Sequence, residues 1–307
     1  MSAERRWFPI LTVVPALVLL LATSIAPLLY TVRDSFENYN MLSIVPQRFV
    51  GLSNYGQALH DNLFWQSLQT TVIFVLLVVT VQFAVGLGLA LLLNRLPRFQ
   101  QLCMTLLLIP TIISPAVASF QWIQLFNYQY GPLNFILSTL HLPVQAWTAS
   151  PSTALASLLI VDFWQWTPFM TLLLFAGLKS LPPHVYEASR VDGGTAWHTF
   201  RYIVLPLLRP VIIIAIVLRV IATFKLFDIV YILTNGGPGI STENLPFYIY
   251  IQGFRYFNIG FASTMAIIQL IIVTLLTRFI LHYMQRPVQE PHRGKGSAAA
   301  TVAPEVM

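Results

Sequence analysis

Charge is scarce in this chain of 307 residues: only 9% are Asp, Glu, Lys or Arg, against roughly 25% in an ordinary soluble domain. Cysteine is nearly absent. The single Cys103 excludes an intramolecular disulfide framework and a cysteine-based zinc site. No Gly-x-x-x-x-Gly-Lys-[Ser/Thr] phosphate loop occurs; Gly294-Lys295-Gly296 lacks both the first glycine and the hydroxyl residue. His-Glu-x-x-His and Gly-x-Ser-x-Gly are missing too, which argues against an intramembrane enzyme. The six histidines fall outside the apolar runs, except His282 at a run's end, and none has a metal-ligand spacing. What is abundant is apolar surface: 56% of residues are hydrophobic and the mean hydropathy is +0.71. So few charges cannot clothe a soluble fold of this size. A soluble enzyme, a nucleic-acid-binding domain and a disordered protein are all excluded.

The apolar residues lie in runs long enough to cross about 30 Å of hydrocarbon at about 1.5 Å per residue. Six spans are expected, near 9–32, 68–94, 101–126, 153–178, 203–233 and 260–284. The first follows Arg5 and Arg6 but is too long for the core of a cleavable signal, so it reads as a retained span. With the N-terminus in the cytoplasm, the inner segments hold 11 of the 17 basic residues, the outer loops 3 and the spans 3. The positive-inside rule then places both termini in the cytoplasm, and an even number of spans agrees. The pI near 9.6 therefore calls for no nucleic-acid partner. The expected organisation is a cytoplasmic N-terminus (1–8), one all-α membrane domain (9–285) and a disordered cytoplasmic tail (286–307). The outer loop 33–67 is expected to pack on the outer face.

The connection between spans four and five is the only long one on the inner side. Pro182 and Pro183 suit a helix start, and a short helix is expected to run to about Asp192. Gly193-Gly194 breaks it. A second short helix from about Thr195 leads to Pro206, where span five is expected to begin. The product is a helix–turn–helix displaying Val185, Tyr186, Ala188 and Trp197 beside Glu187 and Arg190. Composition alone reads it as an interfacial linker.

Its spacing is more specific. Glu187-Ala188-Ser189, three residues, Gly193, nine residues, then Ile203-Val204-Leu205-Pro206 resembles the EAA motif of membrane subunits of binding-protein-dependent ABC importers. Only Ser189 departs from the pattern, standing where the family has Ala. Further likeness lies in residues 49–55, 86–94, 166–169 and 227–239, the last two similar to sugar permeases. Residues 219–234 resemble trehalose-type permeases most. The resemblance implies a type I importer fold in a bacterial inner membrane, with residues 181–202 as a coupling helix docked on a cytoplasmic ATPase. Glu187, Ala188, Ser189, Asp192, Gly193, Ile203, Leu205 and Pro206 would carry that coupling. It also implies a second homologous permease, two ATPase subunits that bind the ATP and Mg, and an extracytoplasmic solute-binding protein. No cofactor or metal is expected on this chain. The expected cargo is a sugar, a disaccharide such as trehalose or maltose; glycerol-3-phosphate or another small polar solute is the alternative.

Ionisable residues inside spans cost at least about 2.5–3.5 kcal/mol each at the bilayer centre. Asp162, Arg219, Lys225 and Asp228 must therefore face protein, water or one another. Lys225 and Asp228, three apart, are expected to share a helix face and pair. Arg219 is nine residues from Asp228, about 900° around the helix at about 100° per residue, and so lies on the opposite side. A pair between Asp162 of span four and Arg219 of span five is expected near the midplane. These charges either fix packing or line a substrate path. Trp164 and Trp166 of span four either pack or, with Gln165 and with Gln121 of span three, present rings and amides to sugar faces and hydroxyls. Pro110, Pro115 and Pro168 interrupt spans three and four and free carbonyls that protein or water must satisfy.

Overall fold

The computed structural model describes residues 4–284, with side chains from 12 to 283; the tail expected to be disordered lies outside these. Thirteen α-helices and four short π-helical turns carry the described chain. In order they are α1 (Glu4–Leu20), α2 (Ala26–Ser35), α3 (Ser53–His60), α4 (Asn62–Arg95), α5 (Gln100–Ile112), α6 (Pro115–Leu125), α7 (Pro132–Thr139), α8 (Pro151–Ser180), α9 (Pro183–Val191), α10 (Ala196–Thr199), α11 (Leu205–Phe224), α12 (Leu245–Tyr250) and α13 (Ile259–Met284). By length and apolarity, five helices and one bent pair can cross a bilayer, which accounts for the six expected spans.

The core grows from α4 against α8, the most extensive helix pair in the molecule. Helix α4 starts cleanly because the Asp61 carboxylate caps it, accepting from the Leu63 N–H at 2.9 Å. Its buried stripe, including Phe74, Val78, Gln82, Gly86 and Ala90, repeats every three to four residues and so faces one partner. At Gly86 a Cβ atom would lie 2.9 Å from the Met170 side chain of α8, so the two backbones meet there only because the residue has none. Helix α11 packs on both α4 and α8, and α13 on α11. The loop after α2 folds back along α13, with Gly260 donating to the Tyr39 carbonyl at 2.8 Å.

Two spans differ from the sequence reading. Span three is not one rod: α5 and α6 meet at 93°. Proline disfavours the α conformation in the residue before it, and Ser114, preceding Pro115, is extended at ψ 138. The carbonyl freed at the corner finds a partner on α8, where the Gln165 amide donates to the Ile113 oxygen at 2.8 Å. Thr111 answers by donating to the Gln165 carbonyl at 3.0 Å. By contrast Pro110 and Pro168 sit inside helices that continue past them.

Span five, expected over 203–233, starts earlier and stops earlier. The segment after Gly193-Gly194 runs without interruption from Ala196 to Phe224. Pro206 does not begin it. A π-helical turn, Phe200–Val204, precedes that proline, with Leu205 donating to the Phe200 carbonyl. The wider turn accommodates a ring that would otherwise press on the preceding turn. A like turn, Leu21–Ile25, precedes Pro27. At the other end α11 stops at Phe224, whose carbonyl accepts from the Gln269 side chain at 2.8 Å, and just beyond it Asn244 donates to the Leu226 carbonyl at 2.5 Å. The first span stands apart. The most apolar window of Thr12–Ser35 has no buried residue, and only its α2 end packs closely, on α13.

Candidate functional site

The elbow between α8 and α11 is built as the sequence leads one to expect. Helix α9 ends at Val191, and Gly193 takes φ +73, a conformation that L side chains rarely adopt. Thr195 caps α10, its hydroxyl accepting from the His198 N–H at 3.2 Å. Ser189 explains its own departure from the family pattern. It is buried, and its hydroxyl lies 2.7 Å from that of Thr199, tying α9 to α10 across the turn. The Gly194 N–H donates to the Ser189 carbonyl at 2.8 Å. Glu187, Ala188, Asp192 and Gly193 lie exposed along this elbow. Val191 at 87% and Trp197 at 69% exposure extend an apolar surface beside them. Ile203 and Leu205 are half-buried, Leu205 packing against the α4–α8–α11 core, while Pro206 is exposed. Tyr186 was expected on the displayed face but is half-buried against that core; burial raises its phenol above the ordinary tyrosine range.

Inside the bundle the expected pair of Asp162 and Arg219 is present. Arg219 Nη2 lies 2.6 Å from Asp162 Oδ2, and both side chains are buried, at 2% and 1% exposure. A third residue closes the group. The Gln82 amide of α4 donates to Asp162 Oδ2 at 2.9 Å and to the Asp162 carbonyl at 3.0 Å, while Arg219 Nε donates to Gln82 Oε1 at 2.8 Å. Three helices are thus cross-linked by one ring of polar contacts. Trp166 forms its wall, with the guanidinium 5.2 Å from the ring centre. Sequence reasoning missed Gln82. The available signal was an amide in the middle of the apolar run from Val72 to Leu93.

The other intramembrane candidates are not drawn into this group. Trp164 stacks edge-on with Trp122 at 5.7 Å, and Gln121 is exposed on α6. Lys225 and Asp228 do not pair. The helix ends at Phe224, before either of them, which abolishes the i,i+3 geometry, and both side chains are exposed. Beyond that end lies a cluster the sequence reading did not assemble. Phe227, Tyr231, Phe247, Tyr250 and Phe254 form a run of ring contacts at 5.0–6.3 Å, with Arg255 over Phe247 and Tyr250 and bonded to Asn235 at 2.8 Å. These rings are separated by a non-helical stretch, so no periodicity announces their meeting.

Five long apolar helices and one bent pair, an occluded polar group within them and an exposed elbow at one end describe a multi-pass membrane protein. The family described as binding-protein-dependent transport system inner membrane component matches residues 5–290, and the chain belongs to it. It is similar to the trehalose/maltose transport system permease protein MalF of Thermococcus litoralis, 36% identical over 276 residues, covering 90% of this chain and 92% of that protein. It is also 34% identical over 281 residues to the sulfoquinovosyl glycerol transport system permease protein SmoG of Agrobacterium fabrum, covering 91% of each. A chain of a bacterial alginate ABC transporter, solved with a pentasaccharide-bound periplasmic protein, shares the fold at TM-score 0.81 and 19% identity, covering 92% of this chain and 96% of that one. The protein is accordingly a multi-pass permease subunit of an ABC importer in the bacterial inner membrane.

Proposed function

We propose that this chain forms half of the translocation path for a sugar, a disaccharide such as trehalose or maltose, handed over by an extracytoplasmic binding protein. The other half is a second, homologous permease. Two ATPase subunits bind the ATP and Mg, one of them docking on this chain's elbow; this chain does no catalysis of its own. Both termini and the elbow face the cytoplasm. The observation that carries this reading is the exposed face of Glu187, Ala188, Val191 and Trp197 on a turn locked from behind by Ser189 and Thr199. A rigid, exposed, part-apolar knob is what a mechanical contact needs.

The geometry supplies a route for that motion. From Ala196 to Arg219 the helix is continuous, about 35 Å at about 1.5 Å per residue. A push on α9 therefore reaches Arg219, which is tied to Asp162 on α8 and Gln82 on α4. In this arrangement the polar ring is closed. Alternating access needs a second arrangement, in which α11 shifts and the ring opens toward the path between the two permeases. Asp162, Arg219, Trp164 and Trp166 then present polar groups and ring faces to the passing sugar, with Gln121, Lys225 and Asp228 along the same route. The relatives' sugar cargoes support the choice of substrate class.

The test is purification of the tagged chain from native membranes in mild detergent, followed by reconstitution and uptake of labelled trehalose and maltose. Co-purification of an ATPase, a second permease and a binding protein is expected, with ATP-dependent uptake. Glu187→Lys is expected to abolish uptake while leaving the chain inserted. A chain that comes alone, indifferent to Glu187→Lys, overturns the proposal.

A further inference from the structure

Behind the elbow lies a cavity that the coupling role does not use. It encloses about 500 Å³ between the end of α4 and the inner side of α9 and α10. Arg95, the last residue of α4, and Arg190, in the last turn of α9, both line it, and no carboxylate does. Among the described residues neither arginine forms a salt bridge. Tyr186 also lines it, and its hydroxyl is buried with no hydrogen-bond partner. The remaining wall is largely apolar, including Leu91 and Phe200.

Two exposed arginines and an unanswered hydroxyl donor, lining one pocket without an acid, match a phosphate: each guanidinium offers paired N–H donors to phosphate oxygens. The level of the cavity narrows the source. Arg95 and Ser180 end the two long apolar helices α4 and α8, so the opening lies at the elbow end of the bundle, beyond its apolar middle. The apolar wall lies beside it. A soluble phosphate has no use for Leu91 and Phe200, whereas a phospholipid brings its glycerol and acyl chains with it. Basic pockets between helices at the membrane boundary bind anionic headgroups in this way. The geometry points to a binding site for the phosphate of an anionic phospholipid, held by Arg95, Arg190 and Tyr186. Such a lipid bridges α4, in the bundle, to α9, in the elbow, and stiffens the joint between them.

The test is native mass spectrometry of the detergent-purified protein titrated with phosphatidylglycerol, with phosphatidylcholine and with inorganic phosphate. One tightly retained phosphatidylglycerol is expected, weakened at least tenfold in the double variant Arg95→Gln/Arg190→Gln and unchanged in Arg98→Gln, an exposed arginine outside the cavity. Should the glutamine pair fail to fold, Arg95→Lys/Arg190→Lys keeps the charge but removes the fork, and weaker retention is still expected. Equal retention of phosphatidylcholine, or phosphatidylglycerol binding indifferent to both double variants, overturns the site. Displacement of the lipid by millimolar inorganic phosphate overturns the lipid assignment and gives the arginines to a soluble anion.

Discussion

At the scale of single residues, the contacts of Asp162, Arg219 and Gln82 decide how charge is tolerated inside the bundle. Removing one member of a buried pair leaves the other uncompensated, which costs about 3–5 kcal/mol, whereas replacing both with apolar groups is often neutral or stabilising. Asp162→Leu and Arg219→Met are each expected to lower the thermal midpoint in detergent sharply, and the double variant to recover most of the loss. The reciprocal charge swap is expected to restore folding as well. Two single variants that express and melt like the parent protein would show that the pair does not hold the helices. Near the start of α12, Glu243 is buried in the loop before Leu245, and burial, with Asp61 nearby, raises its carboxyl above the ordinary glutamate range. A carboxyl raised on folding binds its proton more tightly in the native state, so its penalty is absent at acid pH and grows as pH rises from the ordinary value through the raised one. Glu243→Gln is expected to remove that slope. A melting series against pH should show the variant more stable at neutral pH and no different at acid pH.

At the scale of elements, the corner between α5 and α6 depends on another chain segment to hold it. Gln165→Ala leaves the Ile113 carbonyl unpaired in the bundle, at a cost of about 1–3 kcal/mol. Faster amide exchange around Ser114 is the measurement that checks it; unchanged exchange would mean that water or another donor already serves that carbonyl. The same corner shows what sequence can and cannot carry. The six apolar runs, the elbow with its two glycines and the pairing of Asp162 with Arg219 were legible, because length, turn chemistry and the expense of buried charge are local or nearly so. The endings were not. Pro115 is written in the sequence as plainly as Pro110 and Pro168, yet only one of the three breaks its helix. Likewise the Phe224 carbonyl at the end of α11 and the Leu226 carbonyl beyond it are met by Gln269 and Asn244 from later in the chain. No reading of residues 203–233 alone contains those caps, and the expected pairing of Lys225 with Asp228 failed for that reason. Gln82 was within reach, as an amide in an apolar run demands a partner.

For the whole molecule, the stability of this chain is not fully its own. In the proposed assembly its exposed apolar surface along the first span and its exposed elbow are covered by lipid or by other subunits. Partners that bind only the folded chain stabilise it by mass action. Co-expression with the second permease and the ATPase is therefore expected to raise both its yield and its thermal midpoint in detergent. Equal values with and without them would show a self-sufficient subunit.

The bare first span also bears on how the chain is made. It leaves the ribosome well before α13, the helix on which its α2 end packs. Its base is therefore seated only once α13 has been made, and among the described residues the most apolar stretch of this span has no buried side chain even then.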